Sequence, residues 1–241
     1  MTTSIVTSPA RPTTDPASDR ATKDLRRATT LILAGVIAEF VVTLFHPSHA
    51  APNDHHAAFA EYAESHAWIP VHLGQFAAGL LIILGFVALL RALEPTSRSP
   101  LTIHAGQAAA VLAAAVTAVL QAVDGIALKH AVDSLATAPA ALQAAAFHDA
   151  ETVRWVEWSM AAYYRMTIGL TLVIIGVAIV TARSLPRWTG VFAAVAGLAF
   201  VVDGVQVGYS GFAGSTVANL VSLAGLVAFG VVTTVASWRR R

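Results

Sequence analysis

Six apolar stretches, at about 29–46, 69–93, 101–129, 156–182, 188–210 and 215–238, alternate with short segments that gather most of the charge. Each is near the roughly 20 residues that an α-helix needs to cross a hydrocarbon core of about 30 Å. Helices are the expected form, because lipid would leave the backbone of an open strand or loop unpaired. No run alternates with the period of two that a barrel strand requires. The pattern therefore predicts an all-α, polytopic membrane bundle of six transmembrane helices over residues 23–241. Residues 1–22, rich in Thr, Ser, Pro and Ala and without hydrophobic period, are expected to form a disordered tail. Reading helix one as a signal peptide cut after Ala50, at Ser48-His49-Ala50, is disfavoured by its long apolar run and by Glu39 within it.

The placement of basic residues adds an orientation. Arg11, Arg20, Lys23, Arg26 and Arg27 precede helix one, Arg91 and Arg98 follow helix two, Arg183 and Arg187 follow helix four, and Arg239, Arg240 and Arg241 close the chain. The opposite loops hold only Lys129 and Arg154. The excess of Lys and Arg on one side puts both termini in the cytoplasm and segments 47–68 and 130–155 outside. At 12% charged and 56% hydrophobic residues, the chain is too apolar for an ordinary soluble domain, so the lipid bilayer is its first expected partner. Without cysteine it can form neither a disulfide nor a thiolate ligand.

Both outer segments have helical character. Asn53 or Asp54 can cap a helix whose Phe59, Tyr62 and His66 share one side, which would rest in the headgroup region while Glu61 and Glu64 face water. Pro139 opens a second such run through Leu142, Phe147 and Glu151, ahead of Trp155 and Trp158. The segments Ala63–Trp68 (AESHAW) and Ala150–Trp155 (AETVRW) match as A-E-S/T-x-x-W. Each leads through a helix to a turn, RALEP at 91–95 or ARSLP at 182–186, and then to Val-Asp-Gly at 123–125 or 202–204. Helices two and three and helices four and five can thus be read as two parallel copies of one hairpin. Gly190, Gly197, Gly204 and Gly211 on helix five, with Gly169 and Gly176 on helix four, recur every seven residues and predict close packing of four against five.

Charges within a bilayer are costly, so each calls for a partner or a wet cavity. Glu39 and Arg165 fall at similar mid-membrane depth and are expected to pair, with Asp124 or Asp203 as the second partner of Arg165. Asp124 and Asp203 lie nearer the outer ends of helices three and five, with Gln121 and Gln206 one turn away, while His72 and Gln75 sit at the outer start of helix two. Together Glu39, Gln75, Gln121, Asp124, Arg165, Asp203 and Gln206 would form an outward-facing polar pocket closed below by apolar helix. Tyr163, Tyr164 and Tyr209 would stand at its rim. Three acids against one arginine leave negative charge to be met by a proton, water or a cation. The competing reading is a structural network that locks helix pairing through Arg165.

Eight histidines, His46, His49, His55, His56, His66, His72, His130 and His148, fall on the outer side, and only His104 falls inside. With Glu64 and Glu151, His72, His130 and His148 could hold Zn(II) or Cu(II), although no H-E-x-x-H or other metal spacing is present. Haem is disfavoured, since only His46, His72 and His130 lie near helix ends. Phosphate loops, dinucleotide fingerprints, nucleophile elbows and nucleic-acid motifs are absent.

The run Trp68-Ile69-Pro70-Val71-His72-Leu73-Gly74-Gln75, the stretch from Val153-Arg154-Trp155 to Gly169, and Leu185-Pro186-Arg187-Trp188 resemble a domain-of-unknown-function family of uncharacterised six-helix bacterial integral membrane proteins. The resemblance covers the six helices but not the tail, and implies an actinobacterial plasma membrane; it carries over no catalytic residue. Two function classes follow. One is binding or transport of a small polar solute, ion or proton through the polar pocket. The other is a membrane-embedded metal- or haem-dependent enzyme or redox subunit with an outer histidine site.

Overall fold

The computed structural model describes residues 16–213 and 216–239. It is all-α: α1 (Pro16–Thr43), α2 (His55–Glu64), α3 (Trp68–Leu93), α4 (Pro100–Ala122), α5 (Lys129–Thr137), α6 (Gln143–Ala182), α7 (Arg187–Ser210) and α8 (Thr216–Trp238). A π-helical turn, Val123–Leu128, joins α4 to α5 without a break. Five spans among the described residues, carried by α3, α4 with α5, α6, α7 and α8, are long and apolar enough to cross a membrane. Helix α1 is not one of them, because Arg26, Arg27 and Glu39 crowd its apolar stretch. It begins at Pro16, so residues 16–22 of the expected disordered tail are helical, with Lys23 2.7 Å from Asp19 one turn earlier; residues 1–15 lie outside the described residues.

Arg26, Arg27, Arg91, Arg98, Arg183, Arg187 and Arg239 lie towards one end of the bundle. There α1 and α8 meet: Arg26 donates to the Ser237 carbonyl and lies over the Trp238 ring, and the Thr29 and Ser237 hydroxyls are 2.9 Å apart. The two turns at this end also touch, through a hydrogen bond between Thr96 and Ser184. An apolar core fills this half, with Ile32, Phe86, Leu90, Leu172, Ile175 and Phe229 at its centre. Outward-facing residues such as Leu84, Val111, Leu198 and Leu220 are exposed and apolar, an arrangement suited to lipid rather than water.

The opposite end is capped. Helix α6 has 40 residues and so runs about 60 Å, about twice a hydrocarbon core. Its first half and α5 project together and close over α2. Phe59 and Tyr62 of α2 are buried here against Trp68, Leu128, Val132 and Ala150. The α2 face expected to lie on headgroups is therefore covered by the chain itself. Asp54 caps α2 by accepting from the Ala57 amide. Lys129 closes its other end by donating to the Tyr62 and Ala63 carbonyls at 3.2 and 2.8 Å, where a cation also suits the helix dipole.

The glycines of α6 and α7 form the expected seam. A Cβ at Gly197 would stand 2.5 Å from the Gly169 carbonyl oxygen, and one at Gly190 2.6 Å from that of Gly176. A second seam joins α1 to α3, where Gly35 meets Ile82 and Gly85 meets Ile32. Helix α1 is thus held by α3 and α8, not by α6.

Gly197→Ala is expected to lower stability by about 1–3 kcal/mol, the usual range for overpacking. Gly208→Ala, whose Cβ would meet only Ala162 at 3.8 Å, should be nearly neutral. Thermal unfolding of the detergent-solubilised variants reads the difference.

Candidate functional site

Between the apolar core and the cap lies a chamber of about 380 Å³. Its walls come from α1 (Glu39), α3 (Gln75), α4 with the π turn (Thr117, Gln121, Asp124) and α6 (Arg154, Glu157, Tyr164, Arg165). The floor lies a turn deeper on each helix, where Val36, Ala78, Ile82, Ala113 and Ile168 are buried and apolar. The mouth is covered by the segment after α1. There Glu61 accepts from the His49 and Ala50 amides at 3.0 and 2.8 Å, and Asn53 clasps the Ser210 carbonyl and the Ala213 amide. Burial opposes the Glu61 charge, yet these two amides and the His49 ring outweigh it and hold the carboxyl below its ordinary range.

Three charged pairs are built into the chamber's surroundings. Arg154, 3% exposed, reaches Glu157 at 2.5 Å, the Pro52 carbonyl at 3.1 Å and the Tyr62 hydroxyl at 3.3 Å. The rings of Tyr62, Trp158 and Phe212 surround its guanidinium at 5.4, 5.8 and 4.8 Å. Burial pushes the Tyr62 hydroxyl up to about 12, so it stays neutral and can accept that bond. Arg165 donates from Nε to Asp203 at 2.9 Å and from Nη1 to the Ala161 carbonyl at 3.2 Å.

The third pair is His72 with Asp124. His72 Nδ1 lies 2.8 Å from the Trp68 carbonyl, which can only accept, so Nδ1 carries a proton. Nε2 faces Asp124 Oδ2 at 3.2 Å, off the line of a good hydrogen bond. The contact is an ion pair when His72 is protonated. The π turn makes this contact. Gly125 lets the turn press on His72, whose Cβ would be 2.5 Å from an added methyl, and Trp68 Nε1 donates to the Asp124 carbonyl at 2.9 Å. Such turns recur at functional sites.

Glu39 is the residue left over. It forms no ion pair among the described residues, and its Oε2 is buried without a partner. Arg165, expected beside it, is held by Asp203 instead, because α6 packs on α7 while α1 packs on α3 and α8. Gln121 Oε1, Asp124 Oδ1 and Arg154 Nε on the chamber wall are also buried and unpartnered. Gln75 donates to Thr43 at 3.1 Å. Asp203 and Gln206 stand behind the wall, with Gln206 Oε1 buried and unpartnered. Tyr163 and Tyr209 point outward, while Tyr164 lines the chamber.

The metal candidates do not converge. His72 serves Asp124, His148 lies 3.7 Å from Glu151, and Glu151 pairs with His55 at 3.0 Å, while Glu64 shares a surface groove with His148 but not with His72 or His130. No group of three or more His, Asp or Glu placed to hold a metal occurs among the described residues. The Arg154–Glu157 pair escaped the sequence reading. Arg154 was grouped with loop charges, and Glu157 fell at the edge of an apolar run. The signal was available in an R-x-x-E spacing that puts both on one helix face beside Trp158. No family model, curated protein or solved structure matches the chain.

Two outcomes follow. A double-mutant cycle on Arg165 and Asp203 should show coupling of roughly 0.5–3 kcal/mol, whereas Arg165 and Glu39 should be close to additive in thermal unfolding. The Glu61 clasp should persist above the ordinary carboxylate range and be lost only as pH falls through the depressed Glu61 value. Amide hydrogen exchange at His49 and Ala50, corrected for intrinsic rates, reports it.

Proposed function

We propose that this is a plasma-membrane protein whose chamber binds, and admits from the outer side, a small polar solute, ion or proton. Glu39 carries this reading. A carboxylate facing a cavity inside an apolar bundle, with no cation assigned to it, leaves a charge that only a ligand, a proton or water can meet. Structural glue accounts for Arg154–Glu157 and Arg165–Asp203, since each charge there meets its opposite, but it does not account for Glu39. The volume is also in the range of small-molecule pockets, roughly 300–1,000 Å³.

Six crossings are favoured over five. The start of α1 and the end of α8 lie together, which supports an even number of crossings, with α1 supplying the sixth. With the basic end in the cytoplasm, the cap and the chamber mouth face outward, as the resemblance to bacterial membrane proteins would have it. The parallel-hairpin reading gains support from chemistry. In α3–α4 and in α6–α7, the Asp of Val-Asp-Gly pairs with a basic residue of the preceding helix and the Gly lets the backbones close. The leading A-E-S/T-x-x-W segments differ, since one spans the break between α2 and α3 and the other lies within α6.

Single cysteines at Ser65 and Thr137 should react in intact cells with an impermeant thiol reagent, and one at Ser97 should not. Gln121→Cys should react more slowly than the first two, through the chamber mouth. Reaction of Ser97→Cys alone would invert the topology, and silence of Gln121→Cys beside reactive Thr137→Cys would close the chamber to the outside.

A further inference from the structure

The chamber's charges sort by the partners the fold gives them. Arg154 meets Glu157, Arg165 meets Asp203, and His72 faces Asp124. Glu61, at the mouth, is met by the His49 and Ala50 amides and the His49 ring. Glu39 has no such partner among the described residues. The wall also offers more acceptors than donors, because Glu39 Oε2, Gln121 Oε1 and Asp124 Oδ1 are all buried and unpartnered.

We infer that the chamber is a site for a small protonated amine, a primary ammonium on a compact organic skeleton; this rests on the reading of the chamber as a ligand site. An ammonium brings a positive charge and N–H donors, which suit the unpaired Glu39 carboxylate and the orphan acceptors of the wall. A bare monovalent ion would supply the charge but leave most of about 380 Å³ empty. A divalent metal would sit beside two guanidinium groups, and no set of three metal ligands converges among the described residues. Arg154 Nε, unpartnered on a side chain 97% buried, gives a hydroxyl or water on the same ligand a donor to meet. The surroundings favour the same class: the buried rings of Tyr62 and Trp68, 4.2 Å apart, and the His46 ring, 5.1 Å from Trp68, stand beside the chamber, and aromatic rings attract organic cations.

The test uses the full chain in detergent or nanodiscs, with methylammonium, ethanolammonium, tetramethylammonium and potassium chlorides at equal ionic strength, plus glycerol. Saturable thermal stabilisation by methylammonium or ethanolammonium, with no effect of tetramethylammonium, is expected. Glu39→Gln, nearly the same shape without the charge, should weaken binding at least ten-fold while retaining its unliganded melting temperature within a few degrees. Gln121→Leu should weaken it less and serves if the first variant does not fold. Saturable binding of potassium or glycerol without the amines would overturn the amine assignment and leave the chamber a ligand site. Equal shifts with every salt, in the wild type and both variants, would be an ionic-strength effect and would remove both.

Discussion

Two arginines about three turns apart on one face of α6, Arg154 and Arg165, set what the neighbouring helices must supply. A guanidinium cannot shed its charge on burial as an amine can, so each has to be met in place. Arg154 is met from its own helix by Glu157 and from the cap by Tyr62 and Pro52. Arg165 is met across the α6–α7 seam by Asp203. The seam and the pair depend on each other. Gly204, one residue beyond Asp203, brings α7 against Ala162 and the Arg165 Cβ, so the carboxylate reaches the guanidinium over a short span.

With both arginines satisfied by other groups, Glu39 is left facing the chamber. This separates the chamber from an internal salt-bridge network. A network that only locks helices together would be expected to close on itself, since an uncompensated buried charge destabilises the protein that holds it. Here the apolar floor at Val36, Ile82, Ala113 and Ile168 stops the polar region abruptly, and the cap of α2, α5 and early α6 shields it from bulk water. The charge is kept at a defined depth, behind a mouth tied down by Glu61 and Asn53.

Much of this was legible in the sequence. Apolar length gave the helices, and the polar residues set into them were enough to predict that Glu39, Gln75, Gln121, Asp124 and Arg165 line one pocket. Depth does not give direction around the bundle, however, and pairing depends on direction. Nothing in the order of residues says that α1 packs on α3 and α8, so Glu39 and Arg165 at matching depth looked like partners. The seven-residue glycine spacing did carry directional information, because it marks one helix face, and the α6–α7 contact it predicted is present. Helix α2 was misassigned to the headgroups for a related reason. An apolar face shows that something covers it, and here Trp68, Val132 and Ala150 do so from segments distant in sequence. The length of α6 was missed because hydropathy sees where lipid ends and not where the helix does.

The π turn at Val123–Leu128 bears on the phase of the long helix that contains it. An α-helix advances about 100° per residue, so Ala113 and Val132, nineteen positions apart, would point about a quarter-turn away from each other in an unbroken helix. Both are fully buried. The wider turn takes up one extra residue and returns the two to the same side, so α4 can face the bundle core while α5 faces the cap's own core. The inserted residue thus works as a rotary joint set at one angle. Below it the helix is in register with the membrane bundle, above it with the cap, and Asp124 sits at the step between the two registers.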